Sequence, residues 1–165
     1  MNARRGTFIA AVLTVAACSQ PAADGASGPY EPVADVQQLM ASVLEPAAEV
    51  YWEAVGWIDD ESGTTELRPT TDEEWEAVRG AAFTIAESGN LLLMPGRAVP
   101  EAAWTPMAQA LIDAGRRALA AADARDELAV FNAGAEVYYV CTNCHAAYAL
   151  ETLRPADERI DPNSP

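Results

Sequence analysis

Lysine is absent from this chain, histidine occurs once and cysteine only three times. The ten basic residues are all arginine, and 25 acidic residues outweigh them to a formal net charge of −15. A groove that follows phosphates needs clustered cations, so no nucleic-acid partner is expected. With a single histidine, the paired Glu-x-x-His motifs of di-iron helical proteins cannot be built. No nucleophile or carboxylate stands in a recognisable acid–base constellation, so the expectation is a carrier or binding protein and not an enzyme. Sustained strand-like alternation is missing too. Half of the 165 residues are nevertheless hydrophobic. That length and composition suit one ordinary domain with one core.

Long apolar runs are also lacking. Arg4 and Arg5 precede TFIAAVLTVAA, Thr7 to Ala17, which is too short to span a bilayer well and has the shape of a secretory leader. The run ends in VAAC, the pattern of a bacterial lipoprotein signal, in which the cysteine, here Cys18, is acylated after cleavage and becomes the first residue. A plain signal peptide cut near Ala17, with Cys18 incidental, is the alternative. Both readings export the chain, and loss of Arg4 and Arg5 takes its formal charge from −15 to −17. Residues 1–17 are thus expected to be a lipoprotein signal peptide. Residues 18–32, containing SQPAADGASGPYEP, read as a flexible tether. The expected location is the periplasm, with membrane contact through the lipid alone.

Helical spacing recurs from there on. Val36, Met40, Val43, Leu44, Ala47, Tyr51, Ala54, Val55 and Ile58 share one stripe, with a kink or short break expected at Pro46. The segment DDESGTTELRPT closes this first helix. A second helix starts near Thr71, where Thr70 or Thr71 can cap it with Glu73 or Glu74 three residues on, a capping-box pattern, and LLLMPG ends it; Gly89-Asn90 is a place where it could loosen earlier. A third follows Pro100 and turns around Asp123 to Asp126. A fourth runs from about Glu127 to Leu153, stopped by Pro155, with residues 154–165 a loose tail. The expected fold is all-α, an antiparallel up-down-up-down four-helix bundle over residues 33–153. That topology sets the start of the first helix beside the end of the fourth. Met40 and His145 then lie about 10 to 12 Å from the same end of the bundle and can face each other.

The sole histidine belongs to Cys141-Thr142-Asn143-Cys144-His145, the attachment pattern of c-type haem. Two thiols three residues apart lie on nearly the same helix face and can add across the two vinyl groups of one porphyrin. The adjacent imidazole then reaches the iron as proximal ligand. Competing readings are a Cys141–Cys144 disulfide or redox pair, a zinc site, and buried thiols beside a chance histidine. A redox pair usually opens a helix, where the dipole lowers the thiol pKa, whereas this one lies near a helix end. Structural zinc needs four ligands, and Cys18 is expected to be lost to lipid.

With CTNCHAAY at residues 141–148 and VQQLM at residues 36–40, the chain resembles the class II cytochromes c, the cytochrome c-prime family and its low-spin relatives. The resemblance covers about residues 33–153. It implies a four-helix bundle with one haem c held by Cys141 and Cys144, His145 on the iron, and Met40 where low-spin members place a methionine as sixth ligand. It also implies a redox partner protein, which the acidic surface suits if that partner is basic, and a homodimer in the manner of many members. Ala149 stands where many members of the family have a basic residue after the aromatic, here Tyr148.

Met40 divides the functional reading. Thioether ligation raises the reduction potential and fills the open position, which suits electron transfer. If Met40 only packs in the core, the iron is five-coordinate in an apolar pocket and the expected ligand is a small gas such as nitric oxide or carbon monoxide. A haem-free helical binding module is the third reading.

Overall fold

The computed structural model describes residues 30–149. Cys18, the leader, most of the tether, and the tail lie outside the described residues. The described residues are mostly helical, with one small antiparallel hairpin. Among them, no helix is long and apolar enough to cross a membrane.

The first helix is a composite rod. It comprises α1 (Val36–Leu39), a π-helical turn (Met40–Leu44) and α2 (Glu45–Trp52). Asp35 opens it with a capping box: its carboxylate accepts the Gln38 N–H at 2.8 Å, and the Gln38 side chain accepts the Asp35 N–H at 3.1 Å. Pro46 has no N–H to offer the carbonyl four residues back, so regular α geometry fails just before it. The chain answers with the wider turn, closed by the Glu45 N–H on the Met40 carbonyl, and the rod continues unbroken.

The rod stops at Trp52, six residues before the expected Ile58, and a small two-stranded hairpin interrupts an otherwise helical structure. Gly56–Asp60 (β1) and Gly63–Leu67 (β2) pair antiparallel, with Trp57 opposite Glu66 and Ile58 opposite Thr65. The segment read as a helix terminator is this hairpin's turn and second strand. Gly63 takes φ 126°, which a side chain would strain. Ser62 is tied to Asp60, whose carboxylate accepts its N–H at 2.7 Å. Trp57 and the threonines favour extended backbone. Both hairpin faces are exposed, so no apolar–polar alternation marked it in the sequence.

The second helix, α3 (Asp72–Leu92), starts where expected. Thr71 accepts the Glu74 N–H at 3.2 Å, and Glu74 accepts the Thr71 N–H at 2.9 Å. The Thr70 N–H, then the Thr71 N–H and the Thr70 hydroxyl, all donate to the Glu74 carboxyl and hold it below its usual range. Gly89-Asn90 does not loosen α3. Gly89 instead permits close approach: a Cβ there would sit 2.7 Å from the Ala108 carbonyl oxygen of α4 (Trp104–Ala124). That helix begins four residues past Pro100, where the buried Trp104 indole donates to the Leu92 carbonyl at 3.0 Å. The turn near Asp123–Asp126 is as expected. Arg125 adopts left-handed φ 51°, and Asp126 caps α5 (Glu127–Tyr148) by accepting the Ala129 N–H at 3.0 Å. Ala149 leaves helical geometry, so α5 ends at Tyr148, short of Leu153.

Contacts fix the directions of these elements. Gly89 meets Ala108, Gly115 meets Ala86, and Arg79 bonds Asp123 at 2.7 Å, so α3 and α4 run antiparallel. Arg117 pairs with Glu136, and the Trp104 and Tyr148 rings meet edge to face at 5.0 Å, so α4 and α5 do likewise. α2 packs on α3 and α5, and the π turn on α3. Tyr51, 1% exposed, crosses the core to donate to the Ala118 carbonyl at 3.0 Å.

Candidate cofactor-attachment site

Helix α5 carries the cysteine–histidine motif in its last two turns. Its buried stripe is Val130, Ala133, Gly134 and Val137. Cys141 and Tyr148 pack onto the same core. At about 100° per residue, Cys144 falls on this stripe as well. Cys141 and Cys144 are free, half-buried thiols one turn apart. Burial, with the neighbouring Cys144 adding to it, pushes the Cys141 thiol up to about 11. Burial also raises Cys144. Both are thus neutral thiols near pH 7, unlike the lowered thiolate of a redox CxxC.

His145 lies about 70° from the centre of the stripe, on the Gly134 edge and in line with Tyr138. That flank is the one turned to the first helix. Trp52 donates its indole N–H to the Gly134 carbonyl at 2.9 Å, and its ring meets Tyr138 edge to face at 6.0 Å. A cavity of about 230 Å³ opens along the same flank, between the Tyr51-Trp52 end of the first helix and the Val130–Tyr138 stretch of α5.

The Trp52–Gly134 bond also sets a register. Met40 precedes Trp52 by 12 residues, and His145 follows Gly134 by 11. Just past the rod, Trp57 of β1 lies against Phe131 at 5.9 Å, earlier on α5 than Gly134, so the chain leaves the rod toward the start of α5. Met40 and His145 are then about 18 and about 16 Å from the pinned level, at the same end. Independent contacts agree. Arg97 donates to the Ala34 carbonyl at 2.9 Å and to the Leu91 carbonyl at 3.3 Å, clamping the start of the rod to the end of α3. Trp104 joins that end to Tyr148. Met40 is half-buried and packs against the core.

Among the described residues, no group of three or more His, Cys, Asp and Glu side chains gathers around a common point. An iron in a porphyrin takes its equatorial ligands from the ring, so the chain need supply only axial ones. The arrangement offers two adjacent neutral thiols able to add to alkenes and one imidazole beside them. Cys18, the expected lipid site, lies outside the described residues. Sequence reasoning missed the Arg97 clamp, for which a lone arginine in a loop gives no signal, and the pinning role of Trp52. No family model, no curated protein and no solved structure matches this chain.

Proposed function

We propose that this chain is an exported, lipid-tethered c-type cytochrome that carries electrons in the periplasm. The observation that carries the reading is the pair of free, half-buried thiols Cys141 and Cys144 on the core-facing stripe of α5, with His145 on the adjoining flank. The donor set fits haem c. Two free thiols three residues apart, followed directly by a histidine, are the spacing of covalent haem attachment. The bound haem supplies a one-electron iron couple. Cys141 and Cys144 would hold the group covalently, and His145 and Met40 would be the residues offered to its iron. Cys141 and Tyr148 pack against the apolar core. An acidic surface steers a basic redox partner, more weakly as salt rises. The finer fold reading, an up-down-up-down four-helix bundle, is supported by the antiparallel contacts between the rod and α5, α3 and α4, and α4 and α5.

A second reading rests on the packing of Met40 against the buried cluster. If Met40 serves packing alone, the iron is five-coordinate and binds a small gas. Expression with a haem-attachment system separates these readings. The electron-carrier reading expects pigment that survives acidified organic solvent, together with low-spin oxidised and reduced spectra. High-spin spectra that shift with carbon monoxide would replace it with the gas-binding reading. A colourless product, or pigment lost to the solvent, would overturn both.

A further inference from the structure

We propose that the π-helical turn Met40–Leu44 is a positioning device that swings Met40 onto the flank of the first helix turned toward α5 and His145. This deepens the haem reading above and rests on it. Leu39 and Leu44 are 2% and 6% exposed although five residues apart, while Gln37 and Gln38 between the rod's cap and the turn are exposed. A regular α-helix does not do this. Projected back from Leu44, Ala48 and Tyr51 at about 100° per residue, regular geometry would turn Leu39 to solvent and Gln37 to the core. The π turn holds one extra residue, so everything N-terminal to it is rotated by about 100°. The rotation brings Val36 and Leu39 inward.

Met40 sits beside the core stripe under either geometry, but on opposite flanks. Regular geometry leaves it about 50° from the stripe on the side of Ala47. The extra residue carries it about 50° past the stripe to the side of Trp52. Trp52 is the residue that bonds Gly134 and meets Tyr138 on α5, and His145 continues that α5 flank. The same register sets Met40 and His145 at one end of the molecule. Leu39 and Val36 hold the rotated phase by their burial, and Pro46 denies the regular helix its hydrogen bond at the critical place.

The test uses the full-length, haem-loaded protein and two variants read by oxidised and reduced absorbance spectra. Deleting Ser42, which is exposed within the π turn, removes the extra residue while leaving Met40 in its present phase. The expected deletion variant keeps low-spin spectra that still depend on Met40. In a chain of unaltered length, the swap Met40→Ala with Ala41→Met moves the thioether by one position to an exposed site. The expected swap is high-spin and gains carbon monoxide binding. A high-spin deletion variant with parental circular dichroism and melting temperature would overturn the proposal, as would a low-spin swap. Should the deletion variant not fold, the swap decides alone. If the parent's spectrum is unchanged by Met40→Ala, the axial assignment itself fails and this proposal with it. That outcome is read on Met40→Ala alone and is distinct from an error of phase.

Discussion

Gly115 on α4 offers a severe test of the packing described above. A Cβ built there would lie 2.5 Å from the Ala86 nitrogen, 2.6 Å from its Cα and 2.8 Å from its Cβ. Real Cβ atoms do not approach backbone so closely, and no side-chain rotation relieves the clash. Helix α4 must back away from α3, along a seam where Ala82, Ala114 and Ala118 are fully buried. Overpacking of a tight core costs about 1–3 kcal/mol, and a backbone clash belongs at the upper end. Replacing a mid-helix glycine by alanine returns about 1 kcal/mol of helix propensity. Gly115→Ala is therefore expected to lose about 2 kcal/mol net. At about 2–4 °C per kcal/mol for a chain of this size, the melting temperature should fall by about 4–8 °C. Gly80 on α3 is the internal control, because its Cβ would meet nothing within 4 Å. Gly80→Ala should gain about 0.5–1 kcal/mol and melt a few degrees higher. Thermal unfolding followed by far-ultraviolet circular dichroism, on matched preparations of the three proteins, measures both shifts. If Gly115→Ala melted at or above the parent while Gly80→Ala rose, the close approach of α3 and α4 would be refuted.

Tyr51→Phe removes the buried hydroxyl that donates to the Ala118 carbonyl and should cost about 1 kcal/mol in denaturant unfolding. Burial raises the Tyr51 phenol above its ordinary pKa, so the folded state resists its ionisation while the unfolded chain ionises near pH ~10. Its contribution is whole below that pH and is lost as pH rises further. The parent should therefore weaken more steeply than Tyr51→Phe between about pH 10 and about pH 11, and equal slopes would contradict the buried phenol. Arg97→Ala frees the Ala34 and Leu91 carbonyls. Hydrogen exchange at residues 36–40 should quicken about tenfold or more while the hairpin is unaffected, and unchanged protection would deny the clamp. Trp52→Phe deletes the bond to Gly134 and should cost about 1 kcal/mol in unfolding free energy, with a change in near-ultraviolet circular dichroism from the altered Tyr138 contact. A neutral result would remove the bond that pins the register.

The parts legible in the sequence are those decided within a few residues of themselves. Thr71 and Glu74 announce the start of α3 because a capping box is a local device. The turn near Asp123–Asp126 is legible as a place, but the capping role of Asp126 is not. The hairpin was illegible because its strands bury neither face, so there was no pattern for burial to write. Its marks were weaker: Gly56 after the rod, Trp57-Ile58, Thr64-Thr65, and a glycine three residues past Asp60. Gly89 read as a flaw in a helix because its reason, the Ala108 carbonyl of another helix, lies 19 residues away in the chain.

The candidate site divides along the same line. Cys141, Cys144 and His145 are legible because one helix sets their spacing, whatever surrounds it. Whether Met40 can oppose His145 depends on interactions that no local pattern contains. The bonds that bring the rod to α5 and to the α3 end join residues 82 and 63 positions apart. The direction in which Met40 leaves the rod depends on the one-residue excess of the π turn. A periodicity drawn through Val36, Met40, Val43 and Leu44 absorbs that excess without revealing it. Leu39 falls off that stripe in the sequence, yet the fold buries it. A helical stripe thus reports which residues lie near a core, to within a flank. The flank itself is fixed by how Pro46 and the burial of Leu39 are reconciled: the extra residue of the π turn moves Met40 from the Ala47 side of the stripe to the Trp52 side.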